Sequence, residues 1–192
     1  MERRFFSMKM DVYLKGGRWR LDDLVDARGQ PLEDPWMFGQ GKPVELRERL
    51  RVPVEQPGEP LDIGFAGAGL TPVVRERVAS IFRELASDDV QLFPVDVEGQ
   101  SQPYFILNVA REIRGIDDAA CREVQRITAD EPLHAELVGQ YRSVIGLRID
   151  RAKVGEARVF RLWGWPTPII VDEELKEALE ANGVFGAKFE EV

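Results

Sequence analysis

The residues best suited to nucleophilic catalysis are Ser101 and His134. Ser101 lies in the stretch GQSQP at 99–103, which resembles the G-x-S-x-G turn of α/β-hydrolases. Pro103 replaces the second glycine, however, and the residues after it alternate like a strand, whereas that turn leads into a helix. His134 is the only histidine and hence the only candidate base. We interpret His134 as a surface or helix-packing residue and expect no catalytic pair.

A glycine-rich stretch, GFAGAG at 64–69, precedes a predicted helix, which is a context in which backbone amides bind phosphate. The glycine spacing is not that of the dinucleotide fingerprint, and no Lys-Ser/Thr pair follows it. Asp96 lies too far along the chain to serve as the ribose-binding acid. We interpret the stretch as a turn and expect no cofactor.

The chain offers few ligands for a metal. One histidine and one cysteine cannot supply the usual zinc ligands. The acidic doublets of the sequence do not fit a calcium loop and are interpreted as caps and turns. A pair of carboxylates could serve glycoside hydrolysis, but 34 acidic residues make some such pair inevitable. An enzyme with a cryptic carboxylate site therefore stays open as an alternative.

Tryptophans and acidic side chains near the end of the chain could bind a protein instead. Trp163 and Trp165 flank a glycine at a predicted strand end, where an exposed aromatic ring could anchor a partner. The net charge of −8 disfavours nucleic acid as a partner and suits a basic protein. Glu173, Glu177 and Glu180 are expected on the solvent face of the last helix.

Composition points to a soluble protein of the cytoplasm. The single cysteine, Cys121, excludes an intramolecular disulfide and is expected to be buried. No apolar run is long enough for a signal peptide or a membrane span, so we expect no membrane partner. The sequence leaves a homo-oligomer open.

The strands and helices that must position these residues predict an α+β fold, with a mostly antiparallel sheet and a few packed helices. We expect a β- and turn-rich N-terminal subdomain over 1–70 and an α+β domain over 71–192, together forming one compact unit. Phe5 to Leu14 is predicted as a strand, and a proline-rich loop is expected to hold Trp36 and Phe38 inward. Later elements are a helix capped by Thr71, a hairpin from 90 onward, a short helix over 118–126, and a last helix capped by Asp172.

Several stretches in one order resemble a single family. They include the strands YFILNV and FRLWGW and the ending LKEALEANGVFGAKFEEV. The chain is similar to a bacterial immunity-protein family that is abundant in myxobacteria, is linked to polymorphic toxin systems and was formerly a domain of unknown function. The resemblance spans nearly the whole chain and contains no catalytic motif.

The resemblance implies a protein that binds a cognate toxin and neutralises it. We expect steric and electrostatic blockade, with Glu173, Glu177 and Glu180 raising the association rate and an aromatic residue, Trp163 or Trp165, supplying short-range affinity. A regulatory or scaffold domain that binds a peptide at an open sheet edge is a further alternative.

Overall fold

The computed structural model describes residues 3–13, 17–130 and 132–192. Within these ranges the chain forms fourteen strands and only two α-helices. Short 3-10 turns occupy Met37–Gly39, Pro132–Leu137 and Arg151–Lys153. The expectation of an α+β fold was therefore wrong, because the protein is mainly β.

One sheet has five strands in the order β14-β1-β13-β12-β9. Its pairs are antiparallel except for β12 with β9, which is parallel. Along β1, Phe6 and Met8 face one core cluster and Phe5 faces another, as the alternation of a strand requires. The strands are β1 (Phe5–Met10), β9 (Glu112–Ile113), β12 (Val159–Leu162), β13 (Trp165–Asp172) and β14 (Ala187–Glu191).

A second sheet has seven strands in the order β3-β7-β8-β6-β5-β2-β4, and a separate two-stranded ribbon joins β10 to β11. The strands of the second sheet are β2 (Arg20–Leu21), β3 (Leu50–Val52), β4 (Val54–Gln56), β5 (Ile63–Ala66), β6 (Thr71–Arg75), β7 (Val90–Val97) and β8 (Tyr104–Val109). The ribbon consists of β10 (Glu123–Arg126) and β11 (Tyr141–Ile145).

The two helices, α1 (Glu76–Leu85) and α2 (Glu173–Ala181), share a core with both large sheets. Val78 and Phe82 of α1 and Leu175 and Leu179 of α2 are buried there. A second cluster packs the N-terminal loops on the seven-stranded sheet, and a third packs the ribbon on the five-stranded sheet. Buried side chains on both faces of each large sheet leave little room for further helices, since a covered sheet face is already desolvated.

Helix α1 begins later than the sequence predicts. Thr71 and Pro72 belong to strand β6, and the residue before the helix is Arg75. The stretch pairs with β5 on one side and β8 on the other, and Val73 and Val74 are fully buried. Branched side chains suit such a doubly paired strand, and this tertiary pairing outweighs the capping signal of Thr-Pro.

The short helix predicted over 118–126 is also wrong. Asp117 accepts hydrogen bonds from the backbone amides of Ala119 and Ala120, but these stabilise a turn, and the chain then enters β10. The N-terminal strand ends at Met10, and Leu14 lies outside the described residues. Cys121 is buried as expected.

The boundary predicted at residue 70 falls inside a β-hairpin. Ala66 of β5 pairs with Thr71 of β6 across the turn. Leu70 in this turn has φ 47°, a conformation that non-glycine residues seldom adopt. The division into a segment over 1–70 and one over 71–192 stays a prediction.

Candidate functional site

The start of α2 forms one wall of an acidic groove. Asp172 caps the helix by accepting a hydrogen bond of 2.9 Å from the amide of Leu175, as the sequence predicts. Arg3 donates to the same carboxylate across 2.9 Å. The groove has a volume of about 610 Å³ and is lined by Arg3, Gly155, Glu156, Arg158, Asp172, Glu173, Glu174 and Glu177.

Only some of the carboxylates at this groove are paired. Glu173 forms an ion pair with Arg4, whose hydrogen bond lowers the pKa of the glutamate, and Glu174 pairs with Arg158. Glu177 and Glu156 form no ion pair or hydrogen bond with any described residue. The groove therefore presents net negative charge to solvent.

Glu180, the third predicted glutamate of α2, is tied to its own helix. Its carboxylate lies 2.6 Å from Lys176 Nζ, one turn earlier. It does not line the acidic groove. Of the three predicted glutamates, Glu177 alone is both at the groove and unpaired among the described residues.

Trp163 lies at a second groove, on the ribbon side of the five-stranded sheet. The guanidinium of Arg114 stacks over its indole ring, 3.7 Å from the centroid. The groove has a volume of about 410 Å³ and is also lined by Asp118, Arg126, Tyr141 and Lys153. Trp163 is half-buried, and a cation already covers one face of its ring.

A hydrogen-bonded triad lines this second groove. Tyr141 donates to Asp118 across 2.6 Å, and Arg126 pairs with the same carboxylate and with the phenol oxygen at 2.7 Å. Burial and the bond to Asp118 raise the pKa of Tyr141 to about 12. Burial works against the charge of Asp118, but the bonds from Tyr141 and Arg126 outweigh it and lower the pKa of this carboxyl.

Trp165 lines a third groove of about 560 Å³, which is mostly apolar and is called the apolar groove below. Trp36 and Leu70 also line it and are 54% and 47% exposed. The expectation for the loop was half right, because Phe38 is fully buried whereas Trp36 faces solvent. Met8 and Met10 of β1 complete much of the apolar lining.

Arg161 lies in the wall of the apolar groove and is only 3% exposed. Its guanidinium donates to the carbonyl oxygens of Pro166 and Thr167 across 2.8 and 3.1 Å. Nε has no hydrogen-bond partner, and no described carboxylate lies within ion-pair distance of the side chain. Burial without a counterion lowers the pKa of Arg161 to about 10.

The structure thus distributes the predicted residues over three places. Trp163 and Trp165 line different grooves, and neither lines the acidic groove with Glu173 and Glu177. Trp165 is the first residue of β13, and α2 begins directly after the last residue of that strand. The eight residues of β13 span about 25 Å, so Trp165 lies far from α2. Sequence reasoning missed Arg161 and Leu70. A lone arginine inside the apolar run VFRLW was the available signal for Arg161, because buried charges are rare.

No group of three or more His, Cys, Asp or Glu side chains in residues 3–13, 17–130 and 132–192 is placed to hold a metal ion. Neither helix in that part of the chain is long and apolar enough to cross a membrane. The side chain of His134 lies outside the described part, so its relation to Ser101 stays a prediction.

Comparison with known proteins identifies the family. A search of curated proteins finds no match for the chain. A family model, in contrast, matches residues 8–192, which is nearly the full length and includes the residues that line the three grooves except Arg3 and Ser7. The chain belongs to the immunity protein family Imm11.

Proposed function

We propose that the protein binds a cognate toxin in the cytoplasm of the producing cell and neutralises it by steric and electrostatic blockade, without catalysis. Membership of an immunity protein family supports the class of function. The observation that carries the mode of binding is the acidic groove at α2, where Glu177 and Glu156 form no ion pair or hydrogen bond with a described residue. Unpaired carboxylates at one groove suit a basic partner surface.

The carboxylates of the acidic groove are expected to differ in how much each contributes to binding a basic partner. Glu177 and Glu156 attract a basic surface without first breaking an ion pair. Glu173 must exchange its bond to Arg4, so its net contribution to affinity is smaller. The unpaired carboxylates should therefore dominate electrostatic steering, which acts on the association rate more than on the complex lifetime.

Trp165 can contribute to the same complex although it lies far from α2. An interface of standard size buries about 800 Å² on each partner and is roughly 30 Å across. That width covers the length of β13. Trp165 would then supply buried aromatic area, while Trp163, already stacked by Arg114, would have to be uncovered first.

The toxin is first identified by rescue. Toxin domains encoded beside the gene are expressed in a sensitive host, with and without this protein, and the one whose lethality is relieved is purified. The association rate of that toxin is then measured at two salt concentrations for the wild type and for Glu156→Gln/Glu177→Gln. We expect the double variant to associate about threefold to tenfold more slowly at low salt, with a smaller salt dependence.

The matched control is Glu55→Gln. Glu55 is an exposed glutamate of the edge strand β4 that lines none of the three grooves and pairs with Arg20. We expect its association rate to stay within twofold of the wild type. Equal rates and salt slopes for all three proteins would remove the acidic groove from the interface.

A further inference from the structure

The side chains that line the apolar groove differ in charge from those of the protein as a whole. The chain carries 34 acidic residues and a net charge of −8. None of the residues that line the apolar groove is an aspartate or glutamate, whereas two, Lys9 and Arg161, are cations. Lys9 is paired with Glu190, so Arg161 is the cation without a described counterion.

The groove opens where two strands part. The ladder between β1 and β13 ends at the pair Met8–Ile169, but β1 continues along β14 as far as Met10. In β13 the prolines at 166 and 168 have no N–H to donate, so pairing cannot extend along this stretch. Residues from both faces of the sheet, such as Ser7 and Met8, therefore line one groove.

Two buried polar atoms at this groove lack partners among the described residues, namely Arg161 Nε and the hydroxyl of Ser7. Ser7 is 1% exposed. Leaving such groups unpaired in the interior of a protein is unfavourable. The guanidinium charge adds to this, because carbonyl oxygens solvate it but do not neutralise it. The wall of the groove therefore favours an approaching anion over a cation.

The rim supplies apolar contact. Trp36 and Leu70 are about half exposed, and Met10, which is partly exposed, lines the same groove. Aromatic anchors and flexible methionine side chains are typical of surfaces that accept apolar side chains of a protein partner. An occupant that satisfies both the rim and the wall must combine apolar side chains with a carboxylate.

We propose that the apolar groove docks an apolar segment of the cognate toxin that carries an aspartate or glutamate, whose carboxylate lies on the Arg161 side of the groove. This inference depends on the proposed function, since it names the toxin as the partner. It adds a second contact, of opposite charge preference, to the acidic groove at α2.

A series of substitutions at Leu70 that differ in charge tests the sign of the charge on the occupant of the groove. Leu70 has φ 47°, which asparagine and aspartate tolerate well, and its side chain is exposed. Leu70→Asn removes the apolar contact, Leu70→Asp adds a negative charge, and Leu70→Lys adds a positive one. The same three substitutions at Val138, which is 45% exposed and lines none of the grooves, report the effect of net charge alone.

Dissociation constants are measured with the toxin identified by rescue. We expect Leu70→Asp to bind at least about tenfold more weakly than Leu70→Lys, with Leu70→Asn in between, because like charges across an interface repel. The three Val138 variants should agree within about twofold. Thermal unfolding of each variant establishes that it is folded.

The contrary results separate the two proposals. Tighter binding by Leu70→Asp than by Leu70→Lys would mean a basic occupant and would overturn the inference. Equal dissociation constants for the wild type and all three Leu70 variants would place the groove outside the interface and would also overturn the inference. In that case the proposed function would stand, because the wild type still binds the toxin. If the wild type fails to bind the rescued toxin, both proposals are wrong.

Discussion

Arg161 Nη1 lies 2.8 Å from the carbonyl oxygen of Pro166, at the irregularity where β12 turns back into β13. The same side chain reaches Thr167 and, across 3.4 Å, the carbonyl oxygen of Phe38 in the N-terminal part of the chain. One buried arginine thus connects the segment that carries Trp165 with the loop that carries Trp36. The shape of the apolar groove depends on this connection.

Arg161→Gln is expected to lower the free energy of unfolding by about 2 kcal/mol, because glutamine cannot serve all three carbonyl oxygens and leaves buried acceptors unpaired. Chemical denaturation measures this change. Arg114→Gln, which removes an exposed stacking contact with Trp163, is the control and should cost less than about 1 kcal/mol. An Arg161→Gln protein at least as stable as the wild type would show that desolvation of the guanidinium outweighs its hydrogen bonds.

Asp62 is expected to be a strong contributor to stability. It is fully buried and accepts two hydrogen bonds from Arg77 of α1 and one of 3.1 Å from the amide of Phe185. Asp62→Asn should lower the free energy of unfolding by about 2–3 kcal/mol, since it removes the charge of a buried carboxylate that accepts three hydrogen bonds.

The control for Asp62 is the ion pair Arg49–Asp96, where both side chains are more than half exposed. Asp96→Asn should change stability by less than about 0.5 kcal/mol, because exposed pairs contribute little. Both variants are compared by denaturant titration. Equal effects would contradict the importance assigned to burial of Asp62.

Two glycines near the end of α2 are expected to differ although both have positive φ. Gly186 has φ 114°, and a Cβ there would lie 2.2 Å from the carbonyl oxygen of Ile63. Gly183 has φ 60° and open space around it. Gly186→Ala should destabilise by about 3 kcal/mol or more and Gly183→Ala by about 1 kcal/mol. Thermal and chemical unfolding test the order, and a reversed order would contradict the close approach of Gly186 to Ile63 of β5.

Tyr141 is expected to ionise late in an alkaline titration. Its pKa of about 12 in the folded protein exceeds the ordinary tyrosine value of about 10. The folded state therefore keeps a proton that the unfolded chain loses, so this residue's contribution to stability falls as pH rises from about 10 to 12.

Absorbance of tyrosinate follows this titration. Tyr141→Phe should remove a transition near pH 12, and Asp118→Asn should shift it to lower pH, because the carboxylate of Asp118 raises the pKa of Tyr141. A difference spectrum between the wild type and Tyr141→Phe that titrates near pH 10 would contradict the triad.

The parts of the fold that the sequence predicts well depend on local signals. The last helix has its cap at Asp172, its buried stripe at Leu175 and Leu179, and its end at Gly183, all within a few residues. The hairpin of β7 and β8 is confirmed as well. In these elements the residues that specify the structure are neighbours in the chain.

The errors occur where distant strands decide the outcome. Residues 71–75 carry a helix-start signal, but they are held as a strand by β5 and by β8, which lies some thirty residues later in the chain. Trp36 is predicted to point into the core because it is a tryptophan. In the structure Phe38 of the same loop is buried in the core, whereas Trp36 lies at a groove lined by residues of β1 and β13. Since a groove depends on which strands part and which loops meet, its members could not be predicted from spacing alone.

The most direct test of the central claim is a titration of the rescued toxin with this protein, in which toxin activity and complex formation are measured on the same samples. Blockade by binding predicts that activity falls in proportion to the complex and disappears at a fixed ratio of the two proteins, and that active toxin returns when the complex is separated in denaturant and the toxin refolded. Loss of activity at far below that ratio, with permanent chemical change in the toxin, would contradict the claim and indicate an enzyme.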